Sequence, residues 1–80
     1  MRHMVKFGHW GTRSAHYHSK YKGFKLYREV EYYRVPGQPI DYFKFTHSWF
    51  GVLDGRDEPL HASTRDALKG MINEFWGKLA

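Results

Sequence analysis

Residues 63–79, STRDALKGMINEFWGKL, form the most internally consistent segment of the chain. Its apolar residues recur every three or four positions, as they do on one face of an amphipathic helix. Ser63 is a favourable N-cap, because its hydroxyl can accept a hydrogen bond from a first-turn amide. Asp66 and Lys78 carry the charges that suit the two ends of the helix dipole. We therefore predict a helix from Thr64 to Leu79.

Two segments upstream alternate with the two-residue period of β-strands. They are residues 21–34, YKGFKLYREVEYYR, and residues 40–53, IDYFKFTHSWFGVL. Val35–Pro39 between them has the proline and glycine of a turn, which predicts a hairpin. Apolar residues on both sides of the second strand predict a bulge near His47–Gly51. The side chains expected to form a core with the helix are Phe24, Leu26, Val30, Phe43, Phe45, Trp49, Leu53 and Leu60.

These segments predict an α+β fold, with a small antiparallel sheet of two long strands and one or two short ones packed against the C-terminal helix. The short strands are expected within residues 3–10 and at Glu58–His61. Residues 11–20, GTRSAHYHSK, show no apolar period, so we expect a loop or a mobile basic arm across residues 1–20. An 80-residue chain has room for one core, which predicts a single domain over residues 1–80 with a compact ββα core over residues 21–80.

The formal net charge of +5 is concentrated in the first half of the chain. Residues 1–34 hold eight Lys and Arg against two Glu, whereas residues 35–80 hold five against six acidic residues. Such a basic half attracts nucleic acid, or an acidic protein surface that imitates it. The absence of cysteine excludes disulfides and thiolate metal sites. Without a membrane-length apolar run or a signal peptide, we expect a cytoplasmic protein with no membrane partner.

Six histidines suggest a metal site. His16 and His18 point the same way in an extended chain, and His9 is near them in sequence. Their spacing matches no zinc template, and the competing interpretation is a solvated basic arm, so we predict no metal and no other cofactor. The chain also has no phosphate-binding glycine loop and no nucleophile elbow, so we predict no enzymatic activity. A metal-dependent enzyme, or one that uses His47 or His61, is the remaining alternative.

The hairpin face turned away from the helix is the candidate binding surface. Its interleaved tyrosines and lysines suit bases and phosphates, and they equally suit a protein partner. Glu29 and Glu31 on the same face weigh against a purely phosphate-binding surface, and a passive solvent-side face is the third interpretation. The basic arm is a second candidate. The candidate binding residues are Lys25, Tyr27, Tyr33, Tyr42 and Lys44 on the sheet and Arg13, Lys20 and Lys22 in or beside the arm.

A longer pattern runs through the chain. It consists of Tyr21, Lys22, Gly23 and Phe24, then Trp49 and Phe50, then Ser63, Thr64, Ala67 and Ile72. This order resembles small phage and mobile-element proteins that combine a Tyr-Lys-Gly-aromatic strand, an aromatic strand and a Ser/Thr-capped helix. The resemblance covers residues 21–76. The group includes DNA-binding domains similar to integrase arms and small inhibitors of host defence such as anti-CRISPR proteins, and it implies no catalytic residues.

The resemblance and the aromatic-basic surface together lead to two functional expectations. The first is a non-enzymatic binding module that inhibits a host protein or ribonucleoprotein complex which handles nucleic acid, in the host cytoplasm. The alternative is direct DNA or RNA binding through the same face and arm, which predicts steep salt dependence.

Overall fold

The computed structural model describes residues 3–79. Its strands form one antiparallel sheet in chain order, and a C-terminal helix packs on that sheet. The elements are β1 (Met4–Lys6), β2 (Thr12–Tyr21), β3 (Phe24–Arg34), β4 (Asp41–Val52), β5 (Leu60–Ala62) and α1 (Arg65–Leu79). A short helical turn over Gly8–Trp10 connects β1 to β2. The predicted α+β class is confirmed, with five strands instead of three or four.

Strand β2 corrects the prediction of a loop or arm before Tyr21. It pairs along β3 through a tight turn at Lys22 and Gly23, whose φ angles of 48° and 87° are those of a two-residue hairpin turn. Pairing satisfies backbone groups that would otherwise be open along the edge of β3. Ala15 is the one buried residue of β2, so the strand leaves no apolar alternation in the sequence.

One face of the sheet, here called the helix-side face, packs against α1. Gly51 of β4 faces the helix, and a Cβ atom there would lie at ordinary contact distance, 3.4 Å from Leu68 and 3.5 Å from Phe24. The buried residues of this layer are Phe24, Leu26, Trp49, Ala62, Leu68 and Ile72, with Leu53, Leu60, Met71 and Phe75 packed around them. The predicted contact between the hairpin and the helix is confirmed for this part of the sheet.

The helix begins one residue later than predicted. The Oγ1 atom of Thr64 accepts a hydrogen bond from the Ala67 N–H at 3.1 Å, so Thr64 caps the helix and the prediction of Ser63 is wrong. The reason is β5, which holds the chain extended through Ala62, where it pairs with Trp49. Asp66 in the first turn and Lys78 in the last turn lie where the sequence placed them.

The opposite face, here called the N-terminal face, is covered by β1 and the turn that follows it. Phe7 stacks on Phe50 with ring centroids 4.2 Å apart, and both side chains are fully buried. Trp10 meets the edge of Phe50 at 5.7 Å. The apolar residues on both sides of β4 after Trp49 therefore serve two layers, one on each face of the sheet.

The predicted irregularity in β4 lies within Thr46–Ser48, where the β3–β4 register shifts opposite Glu29. This position is at the start of the predicted range. Phe43 and Phe45 stay on the helix-side face beyond the shift, since they pair with Tyr32 and Val30. The shift therefore places more residues of β4 than of β3 between the two paired regions, and each strand keeps the same side chains on the same face.

The hairpin is longer than the helix that packs on it. The 15 residues of α1 span about 22 Å, whereas the 12 residues of β4 span about 40 Å. We call residues 24–28 and 49–52 the proximal half and residues 30–34 and 41–45 the distal half. Phe43 and Phe45 in the distal half are 45% and 47% exposed, so their prediction as core residues is wrong. The molecule is 55 Å long and 18 Å across its thinnest axis.

Candidate binding surface

The distal half of the N-terminal face holds three of the residues expected in a binding surface. Tyr33 and Tyr42 lie directly opposite each other and stack at a centroid distance of 5.8 Å. Lys44, on the same face, lies with its Nζ atom 3.7 Å from a carboxylate oxygen of Glu31. The structure thus brings a tyrosine pair and a paired lysine together in a part of the sheet that β1 and its following turn leave open.

Two further expected residues, Lys25 and Tyr27, lie in the proximal half. Tyr27 is half-buried and meets Phe7 edge to face at 5.6 Å, so the N-terminal segment covers part of the face that was expected to be bare. Lys25 is also half-buried and lies directly opposite Lys20 of β2, whose side chain is exposed. Lys20, Lys25 and Tyr27 therefore lie apart from the Tyr33–Tyr42 pair.

The remaining expected residues, Arg13 and Lys22, have partners of their own. Arg13 donates to a carboxylate oxygen of Glu29 at 2.7 Å and to the backbone carbonyl of Trp10 at 3.3 Å. Lys22 donates to Asn73 of the helix at 2.6 Å. The eight expected residues therefore do not converge on one site, and their role in binding stays a prediction.

A second surface on the helix-side face was not predicted from the sequence, and it runs from Arg28 at the end of the proximal half into the distal half. We call it the arginine patch. It consists of Arg28, Val30, Tyr32, Phe43 and Phe45. Phe43 and Phe45 contact edge to face at 5.6 Å, and Tyr32 meets Phe43 at 6.1 Å. His16 of β2 adds its ring to this row, 4.9 Å from Phe43, and its Nε2 atom lies 3.1 Å from the Tyr32 hydroxyl.

Arg28 has the most unusual surroundings in the arginine patch. Its guanidinium carbon lies 3.9 Å from the ring centroid of Phe45 and 5.3 Å from that of Trp49, a cation–π arrangement with two rings. Its Nε atom is buried and has no hydrogen-bond partner within residues 3–79. Arg34 at the end of the same face instead pairs with Asp41 at 3.3 Å. Arg28 is therefore held by rings rather than by a carboxylate.

The histidines proposed as a metal site lie in three different surroundings. His9 pairs with Glu58, His16 contacts Tyr32 and Phe43, and His18 lies 2.8 Å from the hydroxyl of Ser19. Within residues 3–79, no group of three or more His, Cys, Asp or Glu side chains is arranged to hold a metal ion. The expectation that no metal binds stays a prediction.

Comparison of the chain with protein-family models, with curated proteins and with solved structures gives no match in any of the three. The resemblance to small phage and mobile-element proteins thus depends on the sequence pattern alone. Over residues 3–79, the chain has no helix with the length and apolar character that crossing a membrane requires.

Proposed function

We propose that this chain is a non-enzymatic binding protein that acts through the distal half of its β3–β4 hairpin. One observation carries the proposal: the distal half exposes aromatic side chains on both faces, and neither buried cluster of residues 3–79 includes them. The exposed aromatic residues are Phe43 and Phe45 on the helix-side face and Tyr33 on the N-terminal face, where Tyr33 stacks on the half-buried Tyr42.

The target that we propose is a host protein or ribonucleoprotein complex that handles nucleic acid, inhibited as anti-CRISPR proteins inhibit theirs. The chain would then be an accessory protein of a phage or mobile element. The resemblance of residues 21–76 to such proteins supports this part of the proposal. So does the basic first half of the chain, because positive charge is attracted to the nucleic acid of a ribonucleoprotein complex or to an acidic protein surface that imitates it.

Exposed aromatic side chains support binding because the part of each ring that faces water contributes little to folding and remains available to a partner. A contiguous apolar patch on a small protein is commonly an interaction site, and aromatic residues dominate the binding energy of such sites. Phe43 and Phe45 are adjacent on one face and each is nearly half exposed. A partner that covers them would remove that apolar surface from water.

The charges of the distal half favour a protein over a nucleic acid. Lys44 pairs with Glu31, and Arg34 pairs with Asp41. A surface that follows a phosphate backbone needs several cations available to phosphates, whereas these cations already have carboxylates beside them. Mixed charge around exposed aromatic residues is the usual composition of a protein interface rim and core.

The proposal is tested by expressing the chain in bacteria that carry an active CRISPR system and plating a phage which that system targets. We expect the wild-type chain to restore plaque formation. The double variant Tyr33→Ser/Phe45→Ser, which alters both distal faces, should lose this effect. Leu79→Ser is the matched control, because it removes an exposed apolar side chain at the end of α1, outside the distal half. Failure of the wild-type chain against every class of system tested contradicts the proposal.

Direct DNA or RNA binding is the second candidate function, and one observation favours it. Lys20 and Lys25 are directly opposite each other across β2 and β3. Like charges at such positions repel each other, and a bound phosphate would relieve the repulsion. Tyr17 and Tyr27 pair on the same face and offer rings for base stacking.

This second function is tested by fluorescence anisotropy with single- and double-stranded DNA and RNA, at low and at physiological salt. We expect Lys20→Gln and Lys25→Gln to weaken binding to every sequence and to reduce its salt dependence. Lys78→Gln removes the same charge at the far end of the helix and serves as the control. Absence of binding by the wild-type chain at low salt rules this function out.

A further inference from the structure

The arginine patch contains a cation that, within residues 3–79, lies against two aromatic rings and has no carboxylate partner. Three other basic side chains on the sheet, Arg13, Arg34 and Lys44, are each paired with an acidic residue. Arg28 lies between the rings of Phe45 and Trp49, and its Nε atom has no hydrogen-bond partner within residues 3–79. Its planar, permanently charged group is therefore preorganised for an anion that the described chain does not supply.

The surroundings of Arg28 indicate what kind of molecule carries that anion. Arg28 contacts Phe45, which with Phe43 is nearly half exposed, and the half-buried rings of His16 and Tyr32 lie beside Phe43. Val30 between them is buried. One guanidinium within an apolar surface suits a single carboxylate that is flanked by apolar side chains. It suits a phosphate backbone less well, because a backbone presents phosphates in series and needs several cations.

A second copy of this chain is a poor occupant of the same surface. In a two-fold symmetric pair, the patch would face itself, and each Arg28 would need an acceptor from the other patch. The five residues of the arginine patch include no carboxylate. Asp41, the acidic residue nearest the patch on this face, is paired with Arg34. Charge complementarity therefore favours a different protein with an acidic segment.

We propose that the arginine patch binds a short acidic segment of a partner protein. An Asp or Glu carboxylate of the segment accepts hydrogen bonds from the Arg28 guanidinium, and an adjacent apolar side chain covers Phe43 and Phe45. This inference rests on the proposed function, since it names the chemistry of the partner that the distal half recognises. It assigns the recognition to the helix-side face rather than to the tyrosine pair.

The first test uses random short peptides displayed on phage as the probe and the purified full chain as the bait. Selected peptides should share an Asp or Glu next to an aromatic or branched aliphatic residue. The best peptide is then measured by fluorescence anisotropy. Arg28→Gln and Phe45→Ser should each weaken it by about tenfold or more. Arg34→Gln removes the same charge from the same face, and it should change affinity by less than about twofold, because Arg34 already has a partner.

A double-mutant cycle identifies the atoms involved. Replacing the acidic residue of the peptide by its amide should weaken binding to the wild-type chain and have little further effect on Arg28→Gln. Arg28→Lys keeps the charge and should still lose most of the affinity, because an ammonium cannot offer the two parallel donors of a guanidinium. Circular dichroism and thermal unfolding of every variant establish that each one is folded.

Several results would overturn the assignment. They are selection of no acidic consensus, equal losses for Arg34→Gln and Arg28→Gln, oligonucleotide binding that Arg28→Gln abolishes, and a wild-type dimer that Phe45→Ser dissociates. If the chain binds acidic peptides but does not restore plaque formation, the proposed function is contradicted and the assignment of the arginine patch as a site for acidic segments is supported. Restored plaque formation by a chain that selects no acidic peptide overturns the patch alone.

Discussion

The two halves of the β3–β4 hairpin share the same strands and the same alternation, yet only one half is covered. In the proximal half, α1 packs on one face, and Phe7 and Trp10 pack on the other. In the distal half, the strands continue their pairing from Val30 to Arg34, and neither buried cluster of residues 3–79 extends over them, although Val30 itself is buried. Alternation along a strand determines which side chains share a face, but the length of the covering elements determines which of them are buried.

The two halves therefore contribute different things to the molecule. Burial of large apolar side chains in the proximal half supplies the free energy of folding. The distal half is ordered by its ladder of backbone hydrogen bonds and by ring contacts along the strands. The aromatic side chains that it exposes contribute less to folding and remain available to a partner. Four predictions test this division.

The largest expected effect is that of Phe50→Ala in the proximal half. Phe50 is fully buried against Phe7, so its truncation leaves a cavity and should lower the free energy of unfolding by about 3–5 kcal/mol. Phe43→Ala makes the same chemical change in the distal half, where the side chain is 45% exposed, and should cost less than about 1.5 kcal/mol. Urea unfolding monitored by circular dichroism measures both. Equal losses would show that the distal half is as tightly packed as the proximal half.

Much of the proximal half could be predicted from the sequence. The two-residue alternation of β3 and the helical period of residues 63–79 identify Phe24, Leu26 and Leu68, because each of those patterns is contained in one element. The cover on the N-terminal face could not be predicted. Phe7 lies in a segment with glycines on either side of Trp10, and β2 follows with one buried residue, so neither element carries a period of its own.

The candidate site was misplaced for a different reason. Phe43 and Phe45 fall on the same face as Trp49, and alternation alone assigned all three to the core. The lengths of the segments contained a signal that would have found the exposed part. A helix of 15 residues covers only about half of a 12-residue strand, because a helix rises about 1.5 Å per residue and a strand about 3.4 Å. The unmatched half of the strand is where Phe43 and Phe45 of the arginine patch lie.

The second prediction concerns Gly8→Ala, which we expect to loosen the layer on the N-terminal face. Gly8 has a φ of 51°, and a Cβ atom there would overlap the carbonyl oxygen of Asp57. Gly8→Ala should therefore lower the free energy of unfolding by about 1–3 kcal/mol. Gly70→Ala is the control, since a Cβ atom at this helical position meets nothing within 4 Å, and it should raise stability by about 0.5–1 kcal/mol. Hydrogen exchange at the amide of Phe50 reports whether the layer opens locally, and unchanged protection in Gly8→Ala would contradict this account.

The third prediction concerns Thr64→Ala, which we expect to weaken the helix that forms the layer on the helix-side face. Thr64→Ala removes the side-chain acceptor for the Ala67 N–H, which should cost about 1 kcal/mol. Ser63→Ala alters the neighbouring hydroxyl, which does not form this hydrogen bond, and should change stability by less than about 0.5 kcal/mol. Thermal unfolding of the two variants side by side separates the contributions. A larger loss of stability from Ser63→Ala than from Thr64→Ala would identify Ser63 as the N-cap.

The smallest expected effect compares an ion pair in each half. The Lys44 and Glu31 side chains are 65% and 63% exposed, so Lys44→Ala should change the free energy of unfolding by less than about 0.5 kcal/mol and less still in high salt. Arg13 also pairs with a glutamate, but Glu29 is only 14% exposed there, and Arg13 donates to the Trp10 carbonyl as well. Arg13→Ala should therefore cost about 1–2 kcal/mol. If Lys44→Ala costs as much as Arg13→Ala, the distal pair must be shielded from water by a layer, and the division between a covered and an open half would fail.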